Sequence, residues 1–404
     1  MVNSSSKQKT GIYIHYPFCL SKCIHCDFYS LPLGRDNKSI EKKYIYALLD
    51  EIRLYRSILS VREPSTIYLG GGSPNLLSIR DLHSILDCIC EVTGVARPVE
   101  FSIEINPASD IGDKLEGYKA LGVNRISIGV QSFSNEMLKF LRRPHSVEDS
   151  LETYKMLRDW GFENINMDLI FGFPMQTLDE FKRDLETVVG LGPEHISVYN
   201  LIYERDTPLY RMRQTGKVEA LDEDVEWQMW VYMHKFLEDS GYTHYEVSNF
   251  AIDGKESVHN LNYWNRKEYF GFGPSAHSFS NGIRWWNVRD LGAYIGKVEE
   301  KEFPMERKEV IEKKDQIEEI FMLSMRVKDG VRKESIEKIA AWGNELFVEV
   351  VRGLEKYTPD YLSLSKDEIV VNYKGWFILD EILVNVFHIL DAFWREIYDS
   401  QENS

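Results

Sequence analysis

Cys19, Cys23 and Cys26 have three and then two residues between them in Cys19-Leu20-Ser21-Lys22-Cys23-Ile24-His25-Cys26, directly after the apolar run Gly11-Ile12-Tyr13-Ile14-His15-Tyr16-Pro17-Phe18. Three thiolates so spaced, in a loop leaving a strand, can wrap three corners of a cubane iron–sulfur cluster and leave one iron open. An electron-transfer ferredoxin closes that corner with a further Cys. An open iron can instead bind a small molecule through the latter's own nitrogen and oxygen atoms, so the spacing points to a reactive cluster. Zinc is the competing reading, because closely spaced Cys also bind zinc. His25 can serve as its fourth ligand, but the chain has no second Cys pair to do so. Its other cysteines, Cys88 and Cys90, fall in an apolar-periodic helical stretch where packing accounts for them.

A reactive loop needs a scaffold, and alternating strand and helix patterns supply one. Ile40, Tyr44, Leu48, Ile52 and Tyr55 recur at helical spacing, which predicts an amphipathic helix over 38–60. The strand Thr66-Ile67-Tyr68-Leu69 runs into Gly70-Gly71-Gly72-Ser73-Pro74, and Ser78 with Asp81 reads as a capping box opening the next helix. Strands follow at 99–105, 122–130, 164–170 and 195–199, with Thr177 and Glu180 forming a second capping box between the last two. About six such units over roughly 200 residues imply a parallel sheet curved into an open, partial β/α barrel rather than a closed eightfold one. In such barrels the loops at the carboxyl ends of strands carry the chemistry. The Cys loop, the glycine run, Glu104, Gln131 and Asp168 all fall at or just beyond predicted strand ends, which gathers them into one site.

The rest of the chain divides by composition. Residues 1–10 are polar enough to be disordered, as are 400–404; 11–240 form the barrel core, whose helix at 220–240 carries Trp227, Trp230 and Phe236. Residues 241–300 are aromatic and Gly-rich, and read as short strands and turns closing one side of the barrel. The densely charged stretch 299–308 reads as a linker into a C-terminal domain at 305–404. There, helices near 309–327, 333–341 and 344–356, short alternating segments at 361–364 and 369–373 and a last helix suggest a small winged-helix-like fold. With 48 Lys and Arg against 64 Asp and Glu, the formal charge of -16 repels nucleic acid and anionic membranes. The C-terminal domain is itself acidic, with 14 basic against 21 acidic residues, which disfavours DNA reading. Clustered Cys, no secretory signal and no apolar run of roughly 18 residues place the chain in the cytoplasm without membrane insertion.

The three-Cys loop beside a glycine-rich strand end resembles the radical SAM superfamily, in which the open iron chelates the methionine end of S-adenosylmethionine. Glycines let backbone approach such a ligand, and their amides can hold a carboxylate, although a tight turn into a helix is an equal reading. Glu104 and Asp168 each sit on an apolar strand, where an unpaired carboxylate is costly to bury. Ribose hydroxyls would satisfy them; so would a salt bridge to Arg125 or Arg143. Arg143 and Gln131 can alternatively hold the cofactor's carboxylate.

From Gly11 to about residue 300 the chain resembles the oxygen-independent coproporphyrinogen oxidase group of that superfamily, on residues 13–28, 70–74, 122–133, 168–177, 245–250 and 271–278. Within the group it is most similar to the haem-chaperone branch. The resemblance implies a [4Fe-4S] cluster on Cys19, Cys23 and Cys26, and S-adenosylmethionine contacts from Tyr13, Gly71, Gly72, Ser73, Glu104, Gln131, Arg143 and Asp168. It places His25 beside the adenine, where the family has a Phe or Tyr ring, and Ser73 where a Thr is usual. Decarboxylating members carry one more Cys two residues after the third ligand; here that position is Phe28. His259-Asn260-Leu261-Asn262-Tyr263-Trp264 matches a motif of the chaperone branch and implies haem binding. The His259 imidazole can donate a nitrogen to haem iron while Tyr263 and Trp264 offer flat faces, or His259 can be a hydrogen-bonded core residue. Two activities follow. One is a haem chaperone handing haem to an acceptor protein, such as a respiratory membrane protein. The other is a radical enzyme that oxidatively decarboxylates coproporphyrinogen to protoporphyrinogen.

Overall fold

The computed structural model describes residues 7–34, 38–95, 97–107 and 111–402. The chain opens with β1 (Gln8–Tyr16), the short strands β2 (Phe18–Cys19) and β3 (Leu31–Pro32), then β4 (Arg62–Gly71), β5 (Glu100–Ile105), β6 (Arg125–Gln131), β7 (Ile165–Phe171) and β8 (His195–Asn200). Strands β1, β4, β5, β6, β7 and β8 lie side by side and parallel, and helices follow each, from Lys38–Leu54 after the Cys loop to Glu223–Asp239 after β8. These are the six expected units. Alternation along each strand sends one set of side chains to the helices and the other into the barrel. On β5, Phe101, Ile103 and Ile105 are buried in the main core, while Ser102 and Glu104 form the other set. The Thr177–Glu180 capping box forms in full. At Ser78 the hydroxyl accepts the Asp81 amide and donates to its carboxylate, and the first helix breaks at Tyr55.

The sheet does not close. Residues 241–300 extend both of its edges: β9 (Thr243–Glu246) and β10 (Asn249–Ala251) join β8, while β11 (Tyr269–Phe272) runs parallel beside β1 and leads to β12 (His277–Ser280) and β13 (Ile283–Asn287). The His259 motif, expected as strand and turn, is the helix Val258–Trp264. Ser257 caps it, and the Glu100 carboxylate accepts the amides of Val258 and His259 at 2.9 Å. The charged stretch expected as a linker instead holds the outermost strand, β14 (Met305–Val310), paired with β13. At the amino end, Gln8, Lys9 and Thr10 pair with β4 rather than fray; residues 1–6 lie outside the described residues. The last helix, Leu379–Glu402, likewise takes in 400–402, and 403–404 lie outside.

Beyond β14, β15 (Val331–Arg332), β16 (Leu362–Leu364) and β17 (Glu368–Val371) form a three-stranded antiparallel sheet among helices, the expected winged-helix-like order. An indole N–H helps fasten this region to the barrel: Trp230 donates to the Tyr373 carbonyl at 2.7 Å. Arg266 and Arg284 both pair with the buried Glu319 carboxylate. Among the described residues no helix is long and apolar enough to cross a membrane.

Burial leaves a pH signature. It pushes Glu51 and Glu104 up to about 7, Glu246 to about 8 and Asp184 to about 6. It lowers His15, His145, His234 and His259 to between about 3 and about 4, and His195 and His244 further still. Below the usual imidazole range the unfolded chain takes up protons that the folded histidines refuse, so stability falls with falling pH. From the usual carboxylate range up to about pH 8 the folded carboxyls keep protons that the unfolded ones have lost, so each weakens the fold as pH rises; up to the imidazole range the more numerous histidines outweigh them, and beyond it the carboxyl loss stands alone. Denaturant titrations of the protein free of cofactors are therefore expected to show maximal stability near pH 7.

Candidate functional site

The Cys loop leaves β1 at the carboxyl end of the barrel and is pinned at both sides. The short strands β2 and β3 pair beneath it, and Ile24 at its tip donates to the Leu141 carbonyl at 3.3 Å and accepts from Leu209 at 3.0 Å. Ile24, Leu141, Phe173, Leu201 and Leu209 form a second apolar core that binds this loop to those after β6, β7 and β8. Each sulfur has a donor. Burial raises the Cys19 thiol while the Ser73 hydroxyl lowers it; burial pushes Cys26 up to about 11 against the Phe28 amide; Arg143 Nη1 lies 3.3 Å from Cys23 Sγ. Among the described residues no His, Cys, Asp or Glu side chains converge as a ready single-ion site. Three thiols with amide, hydroxyl and guanidinium donors suit a thiolate-held cluster, whose potential such hydrogen bonds tune. Buried polar atoms in and beside the loop lack a partner, among them Ser21 Oγ, His25 Nδ1 and Arg143 Nε. Burial and then the Arg143 charge lower His25 to about 4, so its ring is neutral.

The glycine run is held against the Cys loop by backbone bonds. Gly72 donates to the Tyr16 carbonyl and Ser73 to the Phe18 carbonyl, both at 2.7 Å, and Gly71 donates to Glu104 at 3.2 Å. Its amides are thus spent inside the protein, contrary to the expectation that they are free to hold an anion. A Cβ on Gly71, whose φ is +106°, would stand 2.7 Å from the His15 ring, and one on Gly72 2.4 Å from the Phe18 oxygen.

Glu104 and Asp168 face the barrel interior with neutral donors, not the arginine partners that were the alternative. Tyr68 donates to Glu104 at 2.9 Å; Ser127 and Asn166 donate to Asp168 at 3.0 and 2.7 Å. Burial raises the pKa of both, against their neutral donors and, for Asp168, the Arg125 charge. Gln131 takes the left-handed φ of +69° at a register shift between β6 and β7, and a Cβ on Gly129 would stand 3.0 Å from its amide nitrogen and 3.2 Å from Arg143 Nη2. Arg143 and Gln131 therefore converge beside the β6 end. Tyr13 bonds His15 Nδ1 at 3.0 Å and lies parallel to Tyr68 with ring centroids 6.2 Å apart.

His259 is turned into the protein. It is 1% exposed, bonds Thr66 and Tyr263 through its two ring nitrogens at 2.8 Å each, and stacks on Tyr68 at 5.1 Å. It is a packing residue that fixes Tyr68, and through Tyr68 the Glu104 carboxylate. Tyr68 and His15 are the site neighbours that the motif reading missed. Period-two alternation from Thr66 through Tyr68 to Gly70 carries the signal for the first.

The family model described as the radical SAM superfamily matches residues 13–188. The protein named heme chaperone HemW of Bacillus subtilis is 35% identical over 92% of this chain and 97% of its own length. That of Lactococcus lactis is 36% identical over 82% and 85%. The solved structure of coproporphyrinogen III oxidase (HemN) from Escherichia coli, a radical SAM enzyme, superposes with a TM-score of 0.81 over 96% of this chain and 91% of that one, at 23% identity, which speaks to fold. Relatives this similar, spanning nearly the whole barrel and C-terminal region, establish that the chain belongs to the HemW family of radical SAM proteins.

Proposed function

We propose that this protein is a haem chaperone: it binds haem, passes it to an acceptor protein, and carries a [4Fe-4S] cluster with exchangeable S-adenosylmethionine. The observation that carries the reading is kinship of about one residue in three with proteins named heme chaperones along nearly the entire chain, coupled to Phe28 on the Cys loop. Phe28 is 60% exposed where the decarboxylating members of the wider group place a further Cys. When bound, such a cluster would supply one electron for reductive cleavage of the sulfonium cofactor. Cys19, Cys23 and Cys26 would hold the cluster. Glu104 and Asp168, bonded by neutral donors, would meet the cofactor's ammonium or ribose; Arg143 and Gln131 would meet its carboxylate; His25 would lie by its adenine.

The second reading, oxidative decarboxylation of coproporphyrinogen, is favoured by the same barrel, since its fold matches HemN throughout. Anaerobic reconstitution followed by haemin titration separates the two. The chaperone reading expects a Soret band that saturates, with no protoporphyrinogen formed from coproporphyrinogen in the reduced, S-adenosylmethionine-loaded protein. Absence of saturable haemin binding, or appearance of porphyrin product, overturns it. Because His259 is enclosed by Thr66, Tyr263 and Tyr68, the haem iron would take its axial ligand elsewhere.

A further inference from the structure

The interior-facing positions of β6, β7 and β8 carry polar side chains, Ser127, Asn166, Asp168, His195 and Ser197, where a closed β/α barrel packs branched apolar ones. Their neighbours Ile126, Met167 and Ile196 point the other way, into the main core. The register sets Asn166 directly between Ser127 and His195, with Asp168 and Ser197 paired two residues nearer the carboxyl end. Asn166 makes all four hydrogen bonds that its amide allows. Its Nδ2 donates to Asp168 Oδ1 and to Ser127 Oγ, both at 2.7 Å, while its Oδ1 accepts from Ser197 at 3.1 Å and lies 2.7 Å from His195 Nδ1.

One direction of donation satisfies the whole row. A carboxylate only accepts, so the Asn166 NH2 faces Asp168 and the Asn166 oxygen faces His195. His195 therefore donates from Nδ1, which leaves Nε2 to accept the Tyr245 hydroxyl at 2.8 Å; that phenol oxygen in turn accepts the Ser257 amide at 3.3 Å. Donors thus run in one sense from Ser257, the cap of the helix Val258–Trp264, to Asp168. Asn166, His195, Tyr245 and Ser257 are each no more than 4% exposed. A buried row of this kind is strong when every member is satisfied and costly when one is removed.

We propose that His195 is a positioning residue for the cofactor: held by Tyr245, it fixes the Asn166 amide, which fixes Asp168 in the orientation that meets the ammonium or ribose of S-adenosylmethionine. The proposal rests on the reading that places Asp168 at that cofactor. The helix Val258–Trp264 then serves both acids, since His259 on its first turn reaches Glu104 through Tyr68.

The test is titration of S-adenosylmethionine into the reduced, reconstituted full-length protein, read by electron paramagnetic resonance of the cluster. Replacing His195 by Leu removes the donor and lets the Asn166 amide turn over; replacing it by Asn keeps an N–H near the Nδ1 position. His195→Leu is expected to bind the cofactor about tenfold more weakly, and His195→Asn to recover most of that loss. Tyr242→Phe is the control. That phenol is 5% exposed and donates to the Pro193 carbonyl at 2.7 Å, outside the row, so its loss should lower the urea midpoint and leave cofactor affinity unchanged. Unchanged affinity in His195→Leu overturns the proposal; so does equal weakening in the Leu and Asn variants, which reports lost packing. If His195→Leu does not fold, Tyr245→Phe, short of a single hydroxyl, is titrated in its place and must weaken binding where Tyr242→Phe does not. The imidazole nitrogen-15 resonances of wild type give a separate reading: a proton on Nδ1 and none on Nε2 is expected, and the reverse tautomer overturns the proposal with no cofactor added. If wild type does not respond to S-adenosylmethionine, the cofactor reading falls; if it responds but the variants fail these contrasts, only the positioning role falls.

Discussion

Replacing Cys23 by Ala is expected to abolish the electron paramagnetic resonance signal of the reduced, reconstituted protein, together with its response to S-adenosylmethionine. Iron and sulfide should drop to background. Cys23 is the middle sulfur, 6% exposed, with the Arg143 guanidinium against it. Two remaining thiols cannot hold a cubane that already lacks a fourth protein ligand. The fold should survive, because the loop is anchored independently through Ile24 and the β2–β3 pairing. Circular dichroism and the denaturation midpoint should therefore change little while the cluster signal is lost. A colourless wild-type protein holding stoichiometric zinc would sink the cluster reading.

Gly72→Ala is the other large effect. The new methyl would lie 2.4 Å from the Phe18 carbonyl oxygen and 2.8 Å from its carbon, and neither can swing aside as a flexible side chain would. The clash can be relieved only by pulling β4 away from the Cys loop, which breaks the hydrogen bonds from Gly72 to Tyr16 and from Ser73 to Phe18. Overpacking against fixed backbone with two lost bonds implies destabilisation of about 3 kcal/mol or more and failure to assemble the cluster. Gly190 is the control. It lies in the helix Leu178–Leu191 with nothing within 4 Å of a Cβ, so Gly190→Ala should leave stability equal or raise it by up to about 1 kcal/mol. Comparable urea midpoints for the two variants would contradict the crowding at Gly72.

Period and punctuation in the sequence foretell the six strand–helix units because each strand there has an apolar face to bury and two of the helices announce their start, at Ser78 and Thr177. The same logic misses the helix Val258–Trp264. Its buried face is polar, formed by His259 and Asn262, so no apolar stripe marks it; the Ser257 cap and the i, i+4 spacing of His259 and Tyr263 were the available signs. Strand β14 reads as a linker because five of its six residues are exposed, which removes the hydrophobic alternation that betrays a strand. In the site, the residue types are legible but their partners are not. Nothing local to Glu104 says that Tyr68, a strand away, would satisfy it in place of an arginine, nor that the Gly72 amide would be taken by Tyr16.

An unclosed sheet has two rims, and on one of them the charges that obscured β14 serve a purpose. Glu306, Arg307, Lys308 and Glu309 stand exposed along a strand whose outer side has no neighbour among the described residues. A bare rim of this kind is a template onto which another molecule's backbone can zip. Any chain adding there would have to bring its own side chains against a row of ions of both signs. The barrel can thus stay open without polymerising through its margin.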